Sequence, residues 1–403
     1  MKKIEQAVPK SYVERLIRTE SAYMTTAAQI QSYKDLGCDG VEFLATLDEI
    51  TCETCGPLDG IHFTFDDVKE GATVPPMHPN CRCCLSPWYK GDEPSGNRGA
   101  RNPETGKWED VPDMKYDDWK DIFVDKNKTL EEWLSVNSSL ARGIGTDAYN
   151  AVFGGIAEKA TDQNVVKLWK KHAHNVKVIS TNATKNRFSS SYNGIFLNMS
   201  TVVTGDKAHL PYESIVHEVG HAIDWILGGK DTFYSSTWKN GKFVKTLVSE
   251  VSEMVERRST VLKKQIEDKN WKELHEMGAV DQFEWEYFRL KGEFPYGELT
   301  FSKHMAYDSI AKELNMSYST IDSACVKDLV GGATNGNICV STGHEVSYWE
   351  EARMINGVNE RLGSEAFTEF NTGVLFNNGS IETIKKYFPK TYNVYIEMIQ
   401  ECV

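Results

Sequence analysis

The strongest chemical signal in the sequence is the motif His217-Glu218-Val219-Gly220-His221. Two histidines four residues apart project from one face of a helix, so that both imidazoles can bind one zinc ion. Glu218 lies about 100° round such a helix from His217, where its carboxylate can reach a water on the metal. The motif therefore predicts two zinc ligands and a general base.

A catalytic zinc site needs a third protein ligand and keeps one position open for water. Asp224 lies close to His221 in the sequence and fits a hydrogen bond to a ligand histidine better than direct coordination. The better candidates are Glu365 and Glu369, which share one face of a helix predicted within 363–370. The residue pattern alone leaves either carboxylate as the third ligand.

Cysteines and a histidine form a second group with metal-ligand spacing. The chain has nine cysteines, an odd number, and five of them lie within residues 52–84, which favours a metal cluster in a reducing compartment over disulfides. Four such donors suit a tetrahedral structural zinc ion; the alternative is a rigid turn of buried, hydrogen-bonded side chains. The predicted ligands are Cys52, Cys55, His78 and one of Cys81 and Cys83.

The elements that position the motif follow from the hydrophobic pattern. Apolar residues at i, i+3 and i+4 spacing predict a helix over 211–228, and Gly228 and Gly229 end it. Residues 193–199 predict a strand before this helix. Gly220 lacks a side chain, so another segment can approach the helix closely there. This order of strand, helix and motif is typical of zinc peptidases of the zincin type.

The rest of the chain divides at a segment rich in glycine and proline. Residues 93–115 contain hardly any apolar run, which predicts a linker between a first domain, 1–92, and a second domain, 116–403. In the first domain, a helix over 9–36 and strand candidates around the cysteine pair predict a small α+β module.

Composition excludes several classes of function. The formal charge of −13 argues against nucleic-acid binding as the main activity. No segment has the ~18 consecutive apolar residues that a membrane helix needs, so we expect no membrane association. No apolar segment follows the N-terminus, so we expect no secretory signal and a place in the cytoplasm.

The first domain resembles a known family. Asp48, 51–55, 58–60 and 75–83 resemble the C-terminal part of the phage Mu F-like head morphogenesis (minor capsid) family, over residues 10–92. The resemblance implies a phage or prophage protein that associates with portal or head proteins. It implies a location in the host cytoplasm and in the virion.

The second domain resembles another family. Residues 217–224, 365–369 and 387–392 resemble the catalytic domain of the anthrax lethal factor-like zincins, with a helical insertion over 228–340. The resemblance implies that Glu365 is the third zinc ligand and Glu369 an acid behind the ligands. It also implies that a nearby tyrosine, for which Tyr348 is the candidate, stabilises the oxyanion.

Together these observations predict an α+β protein: a small Cys/His zinc-binding module followed by a mainly helical zincin-like metallopeptidase domain with a small sheet. The predicted function is a phage or prophage minor head protein carrying a zinc endopeptidase that acts on a protein or peptide substrate. The predicted cofactors are one catalytic and one structural Zn²⁺. The alternative is a non-catalytic minor head protein with structural metal sites.

Overall fold

The computed structural model describes residues 9–91, 96–206, 209–268, 270–281, 298–316, 320–338, 344–377 and 379–403. The chain divides into two compact units, unit 1 (Met1–Leu134) and unit 2 (Ser135–Val403). Helices and small sheets occur in the described parts, which confirms the predicted α+β class. No helix among these residues is long and apolar enough to span a membrane.

Unit 1 combines one long helix with short strands. Its strands are Gly40–Leu44 (β1), His62–Thr64 (β2), Cys84–Trp88 (β3), Asn97–Arg101 (β4) and Trp108–Pro112 (β5). Its helices are Lys10–Asp35 (α1), Tyr116–Trp119 (α2), and Leu130–Asn137 (α3), which crosses the division between the units. A 3-10 turn, Gly56–Leu58, and a π-helical turn, Lys120–Val124, complete the unit.

The core of unit 1 lies between α1 and a sheet of strand order β2-β1-β3, in which β1 is antiparallel to both neighbours. Apolar side chains alternate along β1, so that Val41 and Phe43 are fully buried. Val41 packs with Ile30 of α1, whereas Phe43 packs with Cys55 and lies beside the cysteines. The predicted helix over 9–36 is confirmed, and the small core ends at the Cys/His residues.

The segment predicted to be a linker, 93–115, differs from that prediction where the structure describes it. Strands β4 and β5 pair as an antiparallel hairpin that belongs to unit 1. Arg98 of β4 donates two hydrogen bonds of 3.0 Å to the buried carboxylate of Asp59. It also donates to the backbone carbonyl oxygens of Ala45 and Met114. Glycine and proline therefore mark the turns of a hairpin here, and a buried ion pair holds it to the first module.

Unit 2 is mainly helical. Its helices before the motif are Ser139–Ile144 (α4), Thr146–Phe153 (α5), Ile156–Lys159 (α6), Gln163–His172 (α7) and Met199–Thr204 (α8). From the motif onward they are Glu213–Leu227 (α9), Tyr234–Thr237 (α10), Lys242–Glu267 (α11), Trp271–Glu276 (α12), Glu298–Met316 (α13), Thr320–Ala333 (α14), Val346–Glu350 (α15), Glu360–Phe376 (α16), Ser380–Tyr387 (α17) and Pro389–Gln400 (α18). Short 3-10 turns are Ala173–Asn175 and Trp238–Asn240.

The strands of unit 2 form two small sheets. They are Lys177–Ser180 (β6), Asn182–Ser189 (β7), Gly194–Asn198 (β8), Met354–Ile355 (β9) and Val358–Asn359 (β10). The larger sheet has the order β6-β8-β7, with β8 parallel to β6 and antiparallel to β7, and β9 and β10 form a hairpin. The predicted strand over 193–199 is confirmed as β8, and β7 is an outer strand of this sheet.

Helix α9 carries the motif and packs against β7, β8 and α16. Ile215, Val219 and Ile223 are fully buried, because the apolar residues recur on the face that meets the rest of the unit. The structure confirms the predicted helix and the role of Gly220: a Cβ there would lie 3.0 Å from the Thr368 side chain. The close approach of α9 and α16 brings the motif to the second predicted ligand segment.

Candidate metal sites

His217, His221 and Glu365 converge between α9 and α16, and we call them the histidine site. The Oε2 atom of Glu365 lies 3.5 Å from Nε2 of His217 and 3.5 Å from Nε2 of His221. This oxygen is buried and has no hydrogen-bond partner in the described structure. One carboxylate oxygen and two imidazole nitrogens therefore face one point, the donor set of a three-ligand zinc site.

The electrostatics of the histidine site reflect its burial. Burial disfavours a charged His217, but the contact with Glu365 and the charges of Glu369 and Glu218 outweigh burial and raise the pKa of His217 to about 10. Burial likewise disfavours a charged Glu365, yet the neighbouring His221 and His217 hold the pKa of Glu365 well below its usual range. A proton on His217 offsets the carboxylate charge, and a metal ion bound at this point would replace that proton.

Glu218 lines a cleft of about 290 Å³ that the histidine site also lines. The residue is 7% exposed, and burial raises the pKa of its carboxyl above the ordinary value. Residues 186–188 of β7 line the same cleft. A buried carboxyl that faces a cleft beside metal ligands is placed for proton transfer.

The second oxygen of Glu365 has its own partners. The hydroxyl of Tyr348 donates a 2.6 Å hydrogen bond to Oε1, and Nε2 of His344 lies 3.6 Å from the same atom. The Tyr348 ring stacks on His344 at 4.0 Å, and the Arg361 guanidinium lies 4.7 Å from its centroid. Burial, with the charge of Glu365, raises the pKa of Tyr348. The structure thus brings Tyr348 to the site with its proton engaged by Glu365.

Residues behind the ligands differ in part from the sequence prediction. Asp224 is fully buried, but its carboxylate accepts hydrogen bonds from the backbone N–H and hydroxyl of Ser235 at 2.8 and 2.7 Å. The partners of His221 Nδ1 are the hydroxyls of Ser364 and Thr368, at 2.7 and 3.3 Å. Asp224 therefore anchors the segment after α9, and α16 supplies the hydroxyls that orient His221.

Glu369, which the zincin resemblance implies to be an acid behind the ligands, lies next to His217. Its Oε1 atom is 3.6 Å from Nδ1 of His217, on the side of the imidazole away from Glu365. Burial raises the pKa of Glu369 to about 8. Of the two carboxylates that the sequence left open, the structure places Glu365 between the histidines and Glu369 behind His217.

Five residues of unit 1 form the cysteine cluster: Cys52, Cys55, His78, Cys81 and Cys83. Nε2 of His78 lies 3.3 Å from Sγ of Cys52 and 3.4 Å from Sγ of Cys55. Sγ of Cys55 lies 3.9 Å from Sγ of Cys81, and Cys83 lies within 4.8 Å of both. Cys55 belongs to both groups of donors, so the structure brings all five predicted residues together and leaves two candidates for the fourth ligand.

Two thiols of the cysteine cluster have lowered pKa values, whereas burial raises the pKa of Cys55 to about 12 and the hydrogen bond with Cys81 raises the pKa of Cys83. Burial disfavours the thiolate of Cys52, but hydrogen bonds from backbone N–H groups of Cys55 and Thr54 outweigh it and lower the pKa of Cys52 to about 7. The hydrogen bond with Cys83 lowers the pKa of Cys81 to about 5, against the effect of burial. Thiolates next to an imidazole suit a transition metal such as zinc.

Sequence reasoning missed several side chains at the histidine site. Ser364 and Thr368 touch His221, and Arg361 touches Tyr348. Their only signal is their spacing of one helical turn, or one residue, from Glu365 on α16. Hydroxyl and guanidinium residues are common on helices, so this spacing is informative only once Glu365 has been placed.

Comparison with known families matches residues 1–86 to a family described as Phage Mu protein F like protein. Comparisons with curated proteins and with solved structures return no match. The family match includes the whole cysteine cluster and confirms the Mu F-like resemblance for this part of the chain. It fits an association with phage head proteins and a place in the virion. The zincin resemblance of residues 116–403 stays a prediction.

Proposed function

We propose that unit 2 is a zinc-dependent endopeptidase in which His217, His221 and Glu365 hold the metal. The observation that carries this proposal is the buried Oε2 atom of Glu365, which has no hydrogen-bond partner and lies 3.5 Å from both imidazole nitrogens. A buried polar atom without a partner is costly, and a metal ion at this point would satisfy it. Two imidazoles and a carboxylate match the ligand set of catalytic zinc.

Zinc bound at this site supplies Lewis acidity, which activates water and polarises a peptide carbonyl. Glu218 takes the proton from the attacking water and passes it to the leaving amine. The raised pKa of Glu218 favours the first of these two transfers, because its carboxylate accepts a proton more readily than that of an exposed glutamate does. Tyr348 keeps its proton and, on releasing Glu365, donates it in a hydrogen bond to the developing oxyanion.

The cleft fits an extended polypeptide. Residues 186–188 of β7 line it, and β7 is an outer strand of the sheet β6-β8-β7. An outer strand has one side without a neighbouring strand, along which an extended peptide can pair. This geometry favours a protein or peptide substrate over a compact small molecule.

For unit 1 we propose a structural zinc ion in the cysteine cluster and an association with phage portal or head proteins. The family match over residues 1–86 supports the phage context, and the thiol and imidazole distances of 3.3–3.9 Å support the metal. The ion would stabilise a module whose core is small. The chain would then act in the host cytoplasm and in the virion.

Metal analysis and peptide cleavage test this proposal. Protein purified without added metal should contain about two zinc ions per chain, one of which a mild chelator removes. A peptide library should be cleaved by the zinc-loaded protein, spared after chelation, and cleaved again when zinc is returned. Zinc in both units without any cleavage would favour the alternative, a minor head protein with structural metal sites.

A further inference from the structure

An arginine on the wall of the cleft stands apart from the zinc ligands. Arg361 lies one helical turn before Glu365 on α16, so the two side chains share a face of the helix. The Arg361 side chain is half-buried and lines the cleft with the histidine site. Its position places a permanent positive charge close to the point where a substrate would be cleaved.

Arg361 is held in place but has no ionic partner. Its Nη1 atom donates a 2.6 Å hydrogen bond to the backbone carbonyl oxygen of Tyr348, and its guanidinium lies over the Tyr348 ring. No carboxylate in the described parts of the chain lies within ion-pair distance of it, and its other N–H groups have no hydrogen-bond partner there. These donors are therefore available to a ligand.

Arg353, a nearby arginine, has a structural role, because its guanidinium forms an ion pair within the protein. Arg353 donates hydrogen bonds of 3.0 and 2.7 Å to the two carboxylate oxygens of Glu360 and contacts the backbone of Asp231. Arg353 is thus a paired residue that fixes the start of α16. Arg361, which lies on α16 itself, is held in place by Tyr348, and its remaining N–H donors are free to bind a ligand.

The charge of the occupied site defines which ligand Arg361 suits. A zinc ion would offset the carboxylates of Glu365 and Glu218, and the carboxylate of Asp328 is paired with His344 at 3.0 Å. Arg361 would therefore remain a cation without an ionic partner on the cleft wall. A guanidinium binds a carboxylate through two parallel hydrogen bonds, and this pairing is stronger where water is partly excluded. An acidic side chain of an extended peptide fits this requirement.

We propose that Arg361 binds a carboxylate side chain of the substrate, so that unit 2 selects peptides with Asp or Glu close to the scissile bond. This inference rests on the proposed peptidase function. It adds the substrate class: acidic peptide segments. Arg361 would be a specificity-determining residue that touches substrate, in addition to its contact with Tyr348.

The test compares paired peptides that differ by Glu or Gln at each position around a mapped cleavage site. Both peptides are acetylated and amidated, so that they carry no terminal carboxylate. Binding is measured by fluorescence anisotropy with the zinc-loaded Glu218→Gln variant. We expect Glu to bind at least about tenfold more tightly than Gln at one position, and Arg361→Gln in this background to reduce the preference to less than about twofold. Arg361→Lys should keep part of the preference.

Arg187 provides the matched control, because it also lines the cleft but packs on Phe196. Arg187→Gln should leave the Glu preference in place. Loss of the preference in Arg187→Gln instead of Arg361→Gln would overturn the inference. So would an Arg361→Gln variant that weakens the binding of both peptides equally, because Arg361 would then only position Tyr348.

Two further outcomes separate the inference from the proposed function. A wild-type protein that cleaves peptides with no preference for Glu would overturn the inference and leave the peptidase intact. A zinc-loaded protein that neither binds nor cleaves any peptide would refute the proposed function, and the inference with it. A blocked pair that shows no Glu preference, together with tighter binding of the same peptide when its C-terminal carboxylate is left free, would reassign Arg361 to the peptide end and also overturn the inference.

Discussion

Glu365→Gln is the substitution that most sharply separates the third ligand from its neighbours. The change keeps the size of the side chain, and its amide can still accept the hydrogen bond from Tyr348, but the negative charge is lost. Glu365 is 2% exposed, so solvent cannot compensate for the loss of the carboxylate charge. The variant should fold and lose zinc affinity in the histidine site.

The size of the expected loss in zinc affinity follows from the burial of Glu365 and the metal ion that it would bind. Removing one partner of a buried charge pair costs about 3–5 kcal/mol. Because each 1.4 kcal/mol is a factor of ten, zinc should bind about 10²- to 10⁴-fold more weakly. Competition with a chromophoric chelator of known affinity measures this change, and circular dichroism checks that the variant is folded.

Glu369→Gln is the matched control, since Glu369 lies 3.6 Å from Nδ1 of His217 and not between the two Nε2 atoms. A residue behind the ligands typically changes metal affinity by about 10- to 100-fold, so this variant should keep its zinc under conditions that empty Glu365→Gln. The reverse order, with Glu369→Gln empty and Glu365→Gln full, would refute the assignment of the third ligand.

Other predictions address unit 1, the oxyanion and the response to pH. Arg98→Met should destabilise unit 1 by about 3–5 kcal/mol, because it removes the ionic partner of the buried carboxylate of Asp59; chemical denaturation measures this, and a loss below 1 kcal/mol would contradict it. Cys52→Ser should lower the zinc content by about one ion per chain without changing peptide hydrolysis; lost hydrolysis would show that the units depend on each other. Tyr348→Phe should keep zinc and lower kcat by about 100-fold, and an unchanged kcat would exclude the oxyanion role. Asp224 has a pKa raised by burial to about 7, against about 3.9 in an unfolded chain, so the metal-free folded state binds more protons and loses stability as pH rises from 4 to 7. Asp224→Asn should therefore gain stability relative to wild type between pH 4 and pH 8 in urea unfolding, and a pH-independent difference would contradict the shifted pKa.

The sequence predicts those parts of the histidine site that depend on local periodicity. Helix α9 follows from the spacing of Ile215, Val219 and Ile223, and the positions of His217 and His221 on one face follow from the helix itself. The first pair of the cysteine cluster is similarly local, since Cys52 and Cys55 share one turn.

Contacts between distant segments could not be predicted in the same way. Asp224 has the spacing of a residue behind the ligands, but α10 packs against α9 and its Ser235 donates a hydrogen bond to the Asp224 carboxylate. The hydrogen-bond partner of His221 is instead Ser364 of α16. Whether Glu365 or Glu369 meets the histidines depends on which face of α16 packs against α9. The local sequence pattern does not predict that face.

The predicted linker illustrates a second limit. Glycine and proline mark turns whether the segment between them is free or paired, so composition did not distinguish a hairpin from a linker. The segment is fixed as a hairpin of unit 1 by Arg98, which contacts Asp59 and Ala45, about forty to fifty residues earlier in the chain. The family match ends at residue 86, before this hairpin, although unit 1 continues to Leu134.

The most direct test of the zinc peptidase proposal is the Glu218→Gln variant, with zinc content and peptide hydrolysis measured on the same sample. Glu218 faces the cleft but is not one of the three converging donors, so the variant should retain the zinc of the histidine site and lose hydrolysis by several orders of magnitude. Full zinc occupancy with hydrolysis equal to wild type would contradict the assignment of Glu218 as the base. Hydrolysis that also persists in His217→Ala would show that the activity does not arise from this site.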